Sequence, residues 1–258
     1  MTQEERRIYL INYLLDERSD AKGTEIPREE EKQRILLRGL MNIRKASPIS
    51  EEFLRIQDEY LFRELEAKGI VDSSLLPEIR KGIVLWKGDI TLLKCDAIVN
   101  AANSRMTGCY APNHRCIDNC IHTFAGVQLR AECDRVIRAQ GIPEAPGGAK
   151  ITPAYNLPAR YVIHTVGPIV RDRVTERDER TLSSCYTECL RLASLKGLGS
   201  IAFCCISTGV FHYPQREAAE VAVRTVEDYL KTETTVKRVI FNVFSDKDRE
   251  IYREILSS

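Results

Sequence analysis

The segment "MTGCYAPNHRCID" (106–118) places Cys109, His114 and Cys116 within eight residues. Two thiols and an imidazole in one loop form a ligand set suited to zinc. The spacing Cys-x4-His-x-Cys is not that of a zinc finger, and no fourth protein ligand is evident beside it. Three protein ligands with an open fourth position is how catalytic zinc is held, and two cysteines with one histidine is among the sets that serve. Two other readings use the same residues. A Cys109–Cys116 disulfide fits a reducing compartment poorly. Free thiols in a polar loop would be open to oxidation without a metal. An aspartate, Asp118, follows the loop at once.

Three further stretches carry polar groups where a buried strand ends. "KGDIT" (87–91) puts Gly88-Asp89 after an apolar run, which alone reads as a turn. "IVNAANS" (98–104) ends a buried strand with Asn100 and Asn103, although asparagine is a poor strand former. It reads either as turn chemistry or as an amide for a hydroxyl-rich ligand. "CISTGVFHYP" (205–214) runs from an apolar strand through Ser-Thr-Gly to Pro214 at the start of a helix. Successive backbone N–H groups beside a helix N-terminus make an anion cradle. No GxxxxGK[ST] is present, which disfavours a P-loop nucleotidase.

The elements that must position these groups fall into two parts. Residues 1–80 read as an N-terminal helical extension. Residues 4–16 align Ile8, Ile11, Leu14 and Leu15 on one face. A second helix is expected with Pro27 in its first turn, three glutamates after it, and a stripe of Leu36, Leu37, Leu40 and Met41. A third is expected between Ser50 as N-cap and Gly69 as stop, with "DSSLLPEI" as the connection onward. Residues 81–258 alternate apolar strands ("GIVLW", "AIVNAA", "AKITPA", "RYVIHTV", "SIAFCCIS", "RVIFNVF") with helices near 118–140, 179–197, 214–231 and 246–256. Continuous apolar runs mean strands buried on both faces, hence an α/β sandwich with ligands at the carboxyl ends of its strands. The extension carries 14 basic and 17 acidic residues, so with a net charge of +1 overall the remainder carries +4. That mild bias suits an anionic ligand, while the total charge gives no case for nucleic acid or a membrane surface. No apolar run approaches the length of a bilayer span and no signal-peptide layout is present, which points to the cytoplasm. Nine cysteines, several inside apolar runs, fit a reducing compartment with buried thiols. Cys95, Cys133, Cys185, Cys189, Cys204 and Cys205 are read so, and His122, His164 and His212 are read as structural residues.

Taken in order, "KGDIT…DAIVNAANS", "GGAKITPAYNLPARYVIHTVGP", "CISTGVFHYP" and "VIFNVFSDKDREIY" resemble the macrodomain family, ADP-ribose-binding modules, over residues 82–258. The resemblance implies a three-layer α/β/α fold with a mixed central sheet, here preceded by the helical extension. "IDNCIH" (117–122) is similar to the "VDGCIH" of MacroD-type hydrolases, but "GCYAPNHRC" replaces the glycines that precede it there. That replacement resembles the zinc-containing branch, which implies Zn2+ on Cys109, His114 and Cys116. A cysteine stands at the Cys120 place in branches without zinc, so Cys120 is expected to be a packed helix residue.

The resemblance implies the site residues as follows. Asp89 accepts from the adenine amino group, with the Ile90 backbone nearby. Ser207, Thr208, Gly209, Val210 and Phe211 form the diphosphate loop, joined by the Ile117 backbone, and His212 lies in that loop. Asn103 meets the distal ribose; Asn103 and Asp118 are the catalytic pair, and Cys116 adjoins the ligand. Asn242 and Phe244 lie near adenine or its ribose, Phe244 being equally readable as core, and Asn100 is structural. The implied activity is hydrolysis that frees ADP-ribose from mono-ADP-ribosylated protein, with zinc orienting a distal-ribose hydroxyl or the leaving group. A sirtuin-type ADP-ribosyltransferase and a lipoyl-carrier protein are the implied partners. A non-enzymatic ADP-ribose reader and an O-acetyl-ADP-ribose deacetylase are the alternatives the same pocket admits.

Overall fold

The computed structural model describes residues 1–257 apart from Lys22. Three helices come first: α1 (Gln3–Asp16), α2 (Glu30–Ile43) and α3 (Glu51–Lys68). Helix α1 opens on a capping box, in which Thr2 Oγ1 accepts from Glu5 N at 3.1 Å and Glu5 Oε2 accepts from Thr2 N at 2.7 Å. Helix α3 runs between the expected signals, with Ser50 Oγ accepting from Phe53 N and Gly69 at the C-cap with φ 85°. Helix α2 begins three residues beyond Pro27. The proline stands outside the helix, and its carbonyl accepts from Gln33 Nε2 at 2.7 Å. The apolar stripes meet in a core of their own: Leu10, Ile11 and Leu14 against Leu37, Leu40 and Met41, and against Phe53, Ile56 and Leu61. Among the described residues, Val127 is the one buried hydrophobic residue from beyond the three helices that joins this core.

The strands are β1 (Val71–Asp72), β2 (Ile83–Lys87), β3 (Leu93–Lys94), β4 (Ala97–Ala101), β5 (Ala149–Pro153), β6 (Tyr161–Thr165), β7 (Ser200–Phe203) and β8 (Arg238–Val243). Six form a sheet in the order β2-β8-β7-β4-β6-β5, parallel throughout except for the antiparallel edge β5–β6. The small parallel pair β1–β3 has no counterpart among the expected strands, because two residues are too few to show a hydrophobic period. It places part of the expected connection against the sheet, where Arg238 Nε donates to Ser73 O at 2.9 Å.

Five helices follow: α4 (Ile117–Ala125), α5 (Val127–Gln140), α6 (Glu176–Leu195), α7 (Gln215–Leu230) and α8 (Asp246–Ser257). Helices α6, α7 and α8 pack side by side, and α4 and α5 pack on each other, so the sheet is flanked by helices. The single helix expected over 118–140 is two. Gly126 breaks it at φ 96°, and a β-carbon there would stand 2.6 Å from Gln57 Nε2 of α3. Gln57 Oε1 instead receives the Val127 N–H at 2.9 Å, satisfying a free donor at the start of α5. Strands β2, β8, β7 and β4 are parallel neighbours, so the loops after Lys87, Val243, Phe203 and Ala101 leave from one rim. The chemistry-bearing stretches are on those loops.

Candidate active site

Asp118 lies in the first turn of α4 with 6% of its surface exposed. Its Oδ1 accepts from Asn100 Nδ2 at 2.8 Å, and its Oδ2 has a longer contact of 3.4 Å with Asn103 Nδ2. Burial pushes its carboxyl up to about 6, against the opposing pull of the Asn100 amide, the Arg130 charge and Asn103. Asn100 Nδ2 also stands 3.1 Å from His164 Nδ1. An amide carries two hydrogens, and these two contacts use both, so the network assigns Nδ1 of His164 as acceptor and Nε2 as donor. Nε2 lies 3.0 Å from Thr152 Oγ1. Burial drives His164 down to about 3, so this imidazole is neutral. His122, one turn after Asp118, is driven well below its ordinary value by burial, with His164 and Arg130 adding to the effect. Asn100 keeps its expected structural place and has a definite role there, holding the Asp118 carboxylate.

The loop after β4 returns over this network. Gly108 has φ 83°, and a β-carbon there would stand 2.8 Å from the His122 ring, so a side chain is excluded. Beyond it, the ligand atoms of Cys109, His114 and Cys116 lie within 4.8 Å of one another, with Cys109 Sγ 3.5 Å from His114 Nδ1. Zn–S and Zn–N bonds of about 2.3 and 2.0–2.1 Å give a tetrahedral S···N edge of about 3.5 Å, so the three residues fit zinc. Cys120 is outside this set; it is half-buried on α4 with Arg38 Nη2 3.5 Å from its sulfur. All nine cysteines are free, so Cys109 and Cys116 are not joined as a disulfide. Cys116 is also the N-cap of α4, its sulfur accepting from Asn119 N at 3.4 Å. Burial chiefly, with Cys109 and Asp118 adding to it, pushes the Cys116 thiol up to about 12. His122, Cys133 and His164 form a second donor cluster, fully buried, in which His164 Nε2 is shared with Thr152. It belongs to the core around Asp118.

The loop after β7 is a tight arch. Ser207 is buried at φ 65° and its carbonyl accepts from Tyr213 N at 3.0 Å, while Gly209 O accepts from His212 N at 3.0 Å. The arch is tied outward through Phe211 O, which accepts from Val170 N at 2.9 Å. The N–H groups of Gly209, Val210 and Phe211 meet no protein acceptor among the described residues. At the start of α4 the N–H groups of Ile117 and Asp118 have no intrahelical acceptor either. Both places favour an anion. His212 is exposed beside the arch with φ 58°.

At the β2–β8 end, Asp89 Oδ1 accepts from Thr91 N at 2.9 Å and from Thr91 Oγ1 at 2.6 Å, capping the 3-10 turn Ile90–Leu92. Ile90 itself is buried. Asn242 is buried and its Nδ2 donates to Gly88 O at 2.9 Å, which clamps the turn that carries Asp89. Phe244 is 80% exposed, so it is a rim residue and not core. The residues that sequence reasoning missed are Arg38, Asn42 and Asn119. Arg38 and Asn42 left one signal, two polar residues four apart at the edge of the apolar stripe of α2.

A central mixed sheet between helices, with free backbone donors and a buried carboxylate at one rim, defines an α/β protein built for an anionic ligand. The Macro domain family model matches residues 99–222. The chain is 54% identical over 261 residues to a protein-ADP-ribose hydrolase of Treponema medium, covering all of both chains. It is 52% identical over 248 residues to a protein-ADP-ribose hydrolase of Staphylococcus aureus (strain MRSA252), covering 95% of this chain and 93% of that one. Among solved structures, an Oceanobacillus iheyensis macrodomain with ADPR superposes with a TM-score of 0.64 at 36% identity, covering 70% of this chain and 95% of that one. The chain belongs to the macrodomain family.

Proposed function

We propose that this macrodomain is an ADP-ribosyl hydrolase that releases ADP-ribose from mono-ADP-ribosylated protein and depends on zinc. Relatives named protein-ADP-ribose hydrolase at 54% and 52% identity support the activity. The observation that carries the chemistry is the place of Asn103. Its Nδ2 lies 3.1 Å from Gly108 O, at the root of the metal loop, and 3.4 Å from Asp118 Oδ2. One ribose-facing amide therefore links the thiol loop to the buried carboxylate.

The bond to be broken joins the distal ribose anomeric carbon to the acceptor side chain, and that carbon becomes oxocarbenium-like as it breaks. The free N–H groups of the arch and of α4 bind the diphosphate, Asp89 the adenine, and Asn103 the distal ribose. Asp118, with its carboxyl at about 6, is mostly ionised at neutral pH and acts as base or water-positioning group. Asn100 occupies Oδ1, and Oδ2, which has only the longer 3.4 Å contact with Asn103, is the oxygen that serves water. Cys109, His114 and Cys116 would hold zinc, which, with its charge offset by two thiolates, would supply weak Lewis acidity toward a ribose hydroxyl or the leaving group.

The test is release of free ADP-ribose from a modified protein, followed in time. Asp118→Asn keeps the shape and should lower turnover about 10²-fold or more while ADP-ribose affinity stays within severalfold. Unchanged turnover would remove Asp118 from the chemistry. No described helix is long and apolar enough to cross a membrane; a cytoplasmic place rests on the cysteine usage, and a sirtuin-type ADP-ribosyltransferase as opposing enzyme and a lipoyl-carrier protein as substrate rest on the resemblance.

A further inference from the structure

We propose that helix α2 of the N-terminal extension is the outer wall of the metal loop, with Arg38 and Asn42 as positioning residues for Cys109, His114 and Cys116. The inference rests on the metal reading of those three residues and adds to it a role for the extension.

The loop from Cys109 to Cys116 contains no helix or strand. Its shape has to come from outside. Asn42 is 1% exposed, and its Oδ1 accepts from the backbone N of Asn113 at 2.9 Å, at a residue held at φ 56°. Its Nδ2 donates to Thr123 Oγ1 at 2.8 Å, so one amide fastens the loop apex to α4. Arg38 is one turn earlier on the same face of α2. Its Nη2 donates to His114 O at 2.9 Å and to Asn119 Oδ1 at 3.1 Å. Asn119 then donates from Nδ2 to Ala111 O at 3.0 Å and to Cys109 O at 3.3 Å. The carbonyls of two of the three ligand residues are thus held by Arg38 and its partner Asn119. Between Arg38 and Asn42 stands Gly39, where a β-carbon would be 3.1 Å from Asn113 Nδ2, so the helix approaches the loop closely. The end of α2 is fixed in turn by Arg130 of α5, whose Nη1 donates to Asn42 O at 2.7 Å and whose guanidinium lies 4.2 Å from the Tyr110 ring centroid.

A wall that only covered apolar surface would need none of these bonds. Those of Arg38, Asn119 and Asn42 Oδ1 are directed at the main chain of the loop or at the asparagine that grips it, and the Asn42–Thr123 bond anchors the same amide to α4. Groups that orient metal ligands are worth about 10- to 100-fold in metal affinity, and a loop held before binding loses less conformational freedom when the metal arrives.

The test uses the full-length, zinc-loaded protein. Zinc content per chain is measured first, then the rate of zinc release to the chromophoric chelator 4-(2-pyridylazo)resorcinol. Arg38 is partly exposed, so Arg38→Met should fold, and thermal unfolding checks that it does. Its zinc release should be about 10- to 100-fold faster than in the unsubstituted protein. The comparison is Arg6→Met, which removes the 2.8 Å ion pair to Glu59 inside the extension, far from the loop in the bonding network, and should leave the release rate unchanged. Release from Arg38→Met at the unsubstituted rate overturns the proposal. So does equally fast release from Arg6→Met, which would mean that any loosening of the extension suffices. An unsubstituted protein that holds no zinc overturns the metal reading itself, and is distinguished by the first measurement.

Discussion

Two imidazoles, His122 and His164, are buried beside Asp118, and acid should find them. Unfolded, each takes a proton near pH 6.5. Folded, burial holds His164 at about 3 and His122 well below its ordinary value. Above pH 6.5 neither state binds these protons and nothing is lost. As pH falls below 6.5 the unfolded chain takes up protons that the folded chain refuses, so stability falls by about 1.4 kcal/mol per pH unit for His164, and His122 acts in the same direction. From pH 7 to pH 5 His164 costs about 2 kcal/mol. Asp118 works in the opposite sense, since its folded carboxyl is raised to about 6. Between 6 and its unfolded value of about 3.9 the folded state binds the extra proton, which returns about 1.3 kcal/mol by pH 5. Asp118 thus offsets part of what His164 costs, and His122 adds to the loss, so stability falls over those two pH units. Exposed carboxylates whose pKa is lowered by arginine partners, such as Glu30 and Glu59, protonate below this window. The assay is urea unfolding of the metal-free protein at pH 7, 6 and 5, with a chelator present throughout. His164→Gln removes the His164 proton and should reduce the loss by about 2 kcal/mol, whatever its effect at pH 7. Equal pH slopes for the two proteins would refute the buried neutral His164, and with it the assigned direction of the Asn100 amide.

Three more outcomes follow from particular contacts. Val210→Pro removes one of the free N–H groups of the arch at a residue 64% exposed; ADP-ribose should bind about 10-fold more weakly or worse, judged by the loss of one bond to a charged group, with thermal stability little changed. Gly108→Ala forces a β-carbon to within 2.8 Å of the His122 ring and a side chain onto φ 83°; the loop must move, and both zinc retention and turnover should fall together. Cys116→Ser should separate two roles of one residue, since serine is a strong N-cap but a poorer zinc ligand: unfolding of the metal-free protein should be unchanged or later, while zinc content per chain falls.

Much of this is legible in the chain itself. The three extension helices and all six strands of the main sheet stand where apolar periodicity puts them, because buried stripes and buried strands need runs of four residues or more to form. Ser50 and Gly69 end α3 as their cap chemistry requires. Pro27 and Gly126 are less legible. Pro27 is compatible with a first turn but does not compel one, and here the turn starts later. Gly126 is tolerated in a helix when nothing crowds it, and here Gln57 from α3 crowds it together with Gln128 and Asn156. The pair β1–β3 is held by tertiary contact and has no pattern to read.

The same division runs through the site. Residue types and spacing alone set out a thiol–imidazole loop, an aspartate after it, two asparagines at a strand end and a glycine-bearing arch, since those depend on which groups are near one another along the chain. What only the tertiary structure decided are the partners that come from elsewhere. Asn100 is set between Asp118 and His164 because β4 and β6 are adjacent in register, Asn100 facing His164. The raised carboxyl of Asp118 is a consequence of burial, which no local sequence reports. Arg38 and Asn42 reach the thiol–imidazole loop across more than 70 residues of chain. Sequence separation carries no signal for such contacts; they exist because the polar edge of α2 packs against a loop that contains no helix or strand.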